Sequence, residues 1–172
     1  RRPIVLRWEL SALADWDFAR PGSSAIDPAL RRAVLCEISR FSGLTAIAGL
    51  WDLTKFFDHV DLNRLASLAE QLGFPPKVLS LALNVHCSLR LLVHKGVTGV
   101  GIPATCGILA GCPFSISFAR ACLYDILHDV HAKAVRPLRL RQYVDDLAQS
   151  STGPELVAVE EAHLPATALF DR

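Results

Sequence analysis

Methionine is absent from all 172 residues, so Arg1 does not read as an encoded start, and the chain is expected to be a fragment of a longer product or to have lost its beginning. Charge imbalance is nearly absent too. A formal net charge of +1 gives no global basic signal, so any nucleic-acid role must rest on local patches. The five cysteines, Cys36, Cys87, Cys106, Cys112 and Cys122, are odd in number and include no CxxC pair. Neither a disulfide framework nor a zinc ribbon is indicated, and a reducing compartment is the simplest reading. No apolar run reaches the length of a membrane span, and the N-terminal RRPIVLRWEL is not followed by a signal-peptide core. The expectation is an intracellular, soluble chain with no membrane partner. Repeats and low-complexity segments are also missing, while half the residues are apolar and a fifth are charged. One domain with a real core follows.

The most informative stretch present is LRLRQYVDDLAQ, from Leu138 to Gln149. A short run, a polar break containing Asp and a second short run read as a β-hairpin, since Asp tolerates the backbone angles of a tight turn. Alternation on the first strand puts Leu138, Leu140 and Val144 on one face and Arg139, Arg141, Tyr143 and Asp145 on the other. Asp145 and Asp146 are adjacent carboxylates, which repel unless a proton or cation relieves them, and hard oxygen donors suit Mg²⁺. Alone, such a pair is also the composition of an ordinary solvated turn.

Taken in order, Arg1 to Ala12 reads as a strand or extended segment after Pro3. FARPGSSAIDPAL then marks a loop, with Asp27 as N-cap and Pro28 opening a helix to Phe41. The apolar run Leu44 to Leu53 reads as a strand buried on both faces in the middle of a sheet, with Asp52 near its end. Asp61 caps a helix to about Leu72, Gly73 stops it, and Pro75 and Pro76 start the next. Lys95 and Gly96 sit at the tip of a hairpin. The stretch from Gly107 is a glycine loop that becomes a long helix after Pro113, and Gly111 gives the backbone close access to something at that helix's start. Asp125, His128, Asp129 and His131 on this helix lack a metal-binding signature and read as a solvated polar face. A short amphipathic stretch follows Pro154.

WDLTKFFDHVD, GILAGCPFSISF and QYVDDL, in this order and at these separations, resemble the palm motifs of a reverse transcriptase of the non-LTR retrotransposon or group II intron type. The segment at Arg2 and FARPGSSAID around Arg20 resemble the fingers segments that precede them. The resemblance implies an α+β fold: a right-hand polymerase palm, an antiparallel sheet backed by helices, with part of the fingers and no thumb. It implies a single domain over 1–172, with partial fingers at 1–45, palm at 46–151 and the start of a following palm segment at 152–172.

It further implies an RNA-directed DNA polymerase that adds dNTPs to a primer 3′-hydroxyl on an RNA template, with a DNA or RNA primer. Two Mg²⁺ ions, or Mn²⁺ in their place, would be held by Asp52 and Asp145, with Asp146 and the Leu53 carbonyl completing the set. Phe57 would sit under the incoming sugar and exclude a 2′-hydroxyl, and Gly111 and Arg2 would meet the nucleotide. Arg20 and Tyr143 would face template or primer, and strand alternation adds Arg139 and Arg141 to them. One departure stands out: Leu109 and Ala110 occupy places where the family usually has a polar pair. The competing reading is therefore a decayed polymerase-like remnant acting as a nucleic-acid or protein interaction module.

Overall fold

The computed structural model describes residues 3–109, 111–134 and 138–170. In chain order the elements are α1 (Pro3–Ser11), α2 (Ile26–Phe41), β1 (Thr45–Trp51), α3 (Phe56–His59), α4 (Leu62–Gln71) and α5 (Pro76–His86). β2 (Val93–His94), β3 (Val97–Thr98), α6 (Ser115–Lys133), β4 (Arg139–Tyr143), β5 (Asp146–Gly153) and α7 (Leu156–Phe170) complete them. The chain falls into two compact units, Arg1–Ala12 with Thr54–Cys122, and Leu13–Leu53 with Leu123–Arg172.

In the first unit the N-terminal segment is helical, not extended as the sequence suggested. Pro3 opens α1, where its missing N–H is no loss, and Val5, Trp8 and Glu9 fall on one buried face at helical spacing. Tertiary contacts make this helix. Trp8 Nε1 donates to the Leu72 carbonyl at 2.8 Å, and its ring meets Phe74 edge-on at 4.7 Å. Ser117 Oγ donates to the buried Glu9 Oε1 at 2.8 Å, giving that carboxylate a hydrogen-bond partner in the core. Leu65, Phe74 and Phe118, all at most 2% exposed, form the centre of the core.

Asp61 caps α4 as its position predicts, accepting from the backbone N–H groups of Asn63 (2.8 Å) and Arg64 (3.0 Å). Pro76 opens α5, and β2 and β3 form the hairpin with Lys95 and Gly96 both at positive φ.

The second unit is built on an antiparallel sheet in the order β1-β5-β4. Here the sequence reading of β1 is corrected: it is paired on one side only, by β5, and its exposure alternates along its length. Ala46, Ala48 and Leu50 are exposed, while Ile47, Gly49 and Trp51 are half-buried. A Cβ on Gly49 would lie 3.0 Å from His163 Nε2, so α7 covers that face. The middle strand, β5, buries Gln149, Ser150 and Ser151, polar side chains that hide its central position from a hydrophobicity reading. Gln149 Nε2 donates to Thr167 Oγ1 at 2.9 Å, tying β5 to α7.

The cap expected of Asp27 is also corrected. Ala25 stands at the N-cap of α2, and Asp27 lies inside its first turn, where Oδ2 accepts from Ser24 N at 2.9 Å. On α6, His131 and His128 pack around the buried Trp16 (ring centroids 4.8 and 6.3 Å apart), while Asp129 pairs with Lys133 at 3.5 Å. All five cysteines are free thiols, and no helix among the described residues is long and apolar enough to cross a membrane.

Candidate active site

Two carboxylates meet at the end of the sheet. Trp51 pairs with Leu147, so continuing the register by one residue sets Asp52 opposite Asp146. Both line one cavity of about 310 Å³, together with Arg32, Leu50, Arg141 and Tyr143. Asp52 and Asp146 are exposed, Asp145 is half-buried, and none of the three carboxylates has a hydrogen-bond or ion-pair partner among the described residues.

The hairpin that carries them is strained at its tip. Val144 and Asp145 form a two-residue turn, and it is Val144, not Asp145, that takes the left-handed conformation, at φ 59°. For a β-branched residue this is an outlier that the surroundings must enforce. Gln142, 2% exposed, supplies part of that force: its Nε2 donates to the Val144 carbonyl at 2.8 Å. Its backbone is braced from the other side, N donating to Trp16 O at 2.7 Å and O accepting from Phe18 N at 2.8 Å. Asp17, buried, pairs with Gln142 in a parallel bridge and accepts from Ala19 N at 2.8 Å. Gln142 and Asp17 were not singled out from sequence; a glutamine inside an otherwise alternating strand was the available signal.

Alternation along β4 holds for Arg141 and Tyr143, which line the cavity, and ends at the turn. Asp146, the register partner of Tyr143, is therefore the hairpin carboxylate that lines this cavity beside Asp52. Arg139 is exposed and lines a second cavity of about 630 Å³ with Arg31 and Arg141. Arg20 is tied to local backbone, donating to Asp17 O (2.6 Å) and Ala14 O (2.9 Å). Leu53, half-buried, closes the segment after β1.

Phe57 and Gly111 belong to the first unit. Phe57 is half-buried, packs edge-on to Phe56 at 5.4 Å, and its carbonyl accepts from Ile108 N at 2.8 Å. Gly111 stands in open space at φ 86°, so its requirement is conformational. The crowded glycine is Gly107, where a Cβ would lie 2.9 Å from the Asp58 carbonyl. His86, fully buried and not singled out from sequence, accepts from Leu109 N through Nδ1 at 3.1 Å and so anchors the glycine loop. Burial, and secondarily Arg90, hold its pKa below the ordinary histidine value. Arg2 and Ala110 lie outside the described residues.

No group of three or more His, Cys, Asp or Glu side chains able to hold a metal occurs among the described residues. What fits a cation is the pair Asp52 and Asp146, oxygen donors with no protein partner, and two carboxylates are a common share for Mg²⁺, which keeps water and substrate oxygens in its remaining positions.

No curated protein matches the chain. Residues 20–167 match the family described as reverse transcriptase (RNA-dependent DNA polymerase), a span that includes Asp52, Phe57, Gly111, Asp145 and Asp146. The chain belongs to the reverse transcriptase (RNA-dependent DNA polymerase) family.

Proposed function

We propose that the chain is the palm, with part of the fingers, of a retroelement reverse transcriptase of the non-LTR or group II intron type. It adds dNTPs to a primer 3′-hydroxyl on an RNA template. The observation that carries this is the meeting of Asp52 and Asp146, from β1 and β5, in one cavity with no protein partner for either.

Asp52 and Asp146, with Asp145 on the adjoining turn and the Leu53 carbonyl, would hold Mg²⁺, and Mn²⁺ could replace it. When bound, the cations lower the pKa of the attacking hydroxyl and offset charge on the leaving pyrophosphate. The chain's own contribution is positional. Gln142 and the Trp16–Phe18 segment hold the hairpin so that Asp145 and Asp146 stand at a fixed place, and β5 pairs with β1 so that Asp52 stands beside Asp146. Phe57 is assigned to discrimination against a 2′-hydroxyl from its place in WDLTKFFDHVD. Tyr143, at the cavity wall, is assigned to the primer end, and Arg20 to the template.

Leu109 supports a second reading. It is 42% exposed where the family usually offers a polar side chain, as expected of a decayed copy that binds nucleic acid or protein without extending primers. Primer extension on poly(rA)/oligo(dT) with Mg²⁺ separates the two. The polymerase reading expects dTTP-dependent extension abolished by chelation; binding of the hybrid without any extension would establish the remnant.

A further inference from the structure

Arg141 is 6% exposed and has only a serine hydroxyl for company: Nη1 donates to Ser150 Oγ at 2.8 Å, and no carboxylate pairs with it among the described residues. A guanidinium stays charged at any ordinary pH, and burying it without an anion is costly. Its neighbours raise that cost. Burial first, then Arg139, Arg32 and Arg31, pull its pKa down, so other cations surround it.

The cavity of about 630 Å³ between α2 and β4 is walled by Arg31, Arg139 and Arg141 against a single acid, Asp15. Arg31 is held in this wall by its guanidinium lying 5.6 Å from the centre of the Phe18 ring. Three arginines on one concave wall, one of them desolvated and lacking a counter-charge, match a ligand that brings phosphate oxygens.

We infer that the α2–β4 cavity is a binding site for backbone phosphate of a nucleic-acid strand, with Arg31, Arg139 and Arg141 as its donors. The inference rests on the polymerase reading above and adds Arg31 and the cavity itself to it. A strand phosphate is favoured over the reacting triphosphate because the carboxylates suited to metal, Asp52 and Asp146, line the neighbouring cavity. Arg141 lies in both walls, so it stands between the site of addition and a phosphate further along the strand.

The test is the salt dependence of binding a fluorescent RNA–DNA hybrid by the whole chain, read by anisotropy, with binding of a fluorescent dATP analogue as the second arm. Each phosphate contact removed should lower the slope of log K against log salt by about 0.9. Arg31→Ala and Arg139→Ala act on exposed side chains and leave the core alone; each should reduce the hybrid slope by that amount, their effects should add, and dATP binding should stay unchanged. An unchanged hybrid slope in both variants overturns the site. Weaker dATP binding with an unchanged hybrid slope also overturns it and assigns the cavity to the triphosphate. Failure of the unaltered chain to bind the hybrid at all would overturn the polymerase reading together with the site.

Discussion

Asp52 and Asp146 line the same cavity because β1 and β5 pair through Trp51 and Leu147, the residues just inside each carboxylate. The relationship is a matter of register. A one-residue slip of β1 against β5 would turn Asp52 to the opposite face, where α7 packs. Gly49 guards the register, since any side chain there would press on His163 and Gln149.

Val144 at φ 59° stores strain in the hairpin tip. Asn adopts this conformation far more readily, so Val144→Asn is expected to raise unfolding free energy by about 1 kcal/mol. Urea denaturation checks it; a loss of stability would contradict the strain.

Gly107 and Gly111 share a positive φ but differ in surroundings. At Gly111 an alanine meets only the conformational penalty, about 1 kcal/mol. At Gly107 the Asp58 carbonyl stands 2.9 Å from the new Cβ, and backbone must move, so Gly107→Ala should cost about 2–3 kcal/mol. Equal melting temperatures for the two variants would refute the distinction.

His86 and His163 both have pKa values lowered by burial. The unfolded chain then binds more protons than the folded one between the folded pKa and about 6.5, so stability rises with pH across that window. It is full above about 6.5 and falls as the pH drops through the folded values. Protonation of His86 Nδ1 would also set two donors against each other at Leu109 N. Denaturation between pH 7.5 and 5 should show this loss, and His86→Gln, which keeps an acceptor, should flatten it by part. A pH-independent stability in the unaltered chain would contradict both assignments.

Burial pushes the Cys122 thiol up to about 11, only partly opposed by the Arg64 cation. Since the thiolate is the nucleophile, Cys122 should resist iodoacetamide while the exposed Cys87 and Cys106 react. Peptide mass spectrometry after brief labelling at pH 8 decides; early modification of Cys122 would place it outside the core.

Local signals were legible where local chemistry decides structure. Asp61 before α4, Pro76 opening α5, Gly73 ending α4 and the hairpin at Asp145 all follow from caps, rings and turns. α1 is not legible locally because Trp8 holds it to Leu72 and Phe74, contacts with no trace in a window of neighbours. β1 reads as central because Ala46, Ala48 and Leu50 count as apolar although they are exposed, while the truly central β5 hides behind Gln149, Ser150 and Ser151. At the site, which hairpin carboxylate shares the cavity with Asp52 depends on how the turn interrupts alternation. The turn residues 144 and 145 break the parity that would have carried Asp145 onto the Tyr143 face, and Asp146 stands there instead.

The central claim is that Asp52 and Asp146 act on one cation, and Mn²⁺ titration of the chain by calorimetry or electron paramagnetic resonance tests it most directly. Asp52→Asn and Asp146→Asn should each weaken binding about tenfold or more, and the double variant should be little worse than either single one, as members of a single site behave. Mn²⁺ binding that survives both substitutions unchanged, or losses that simply add, would contradict the account.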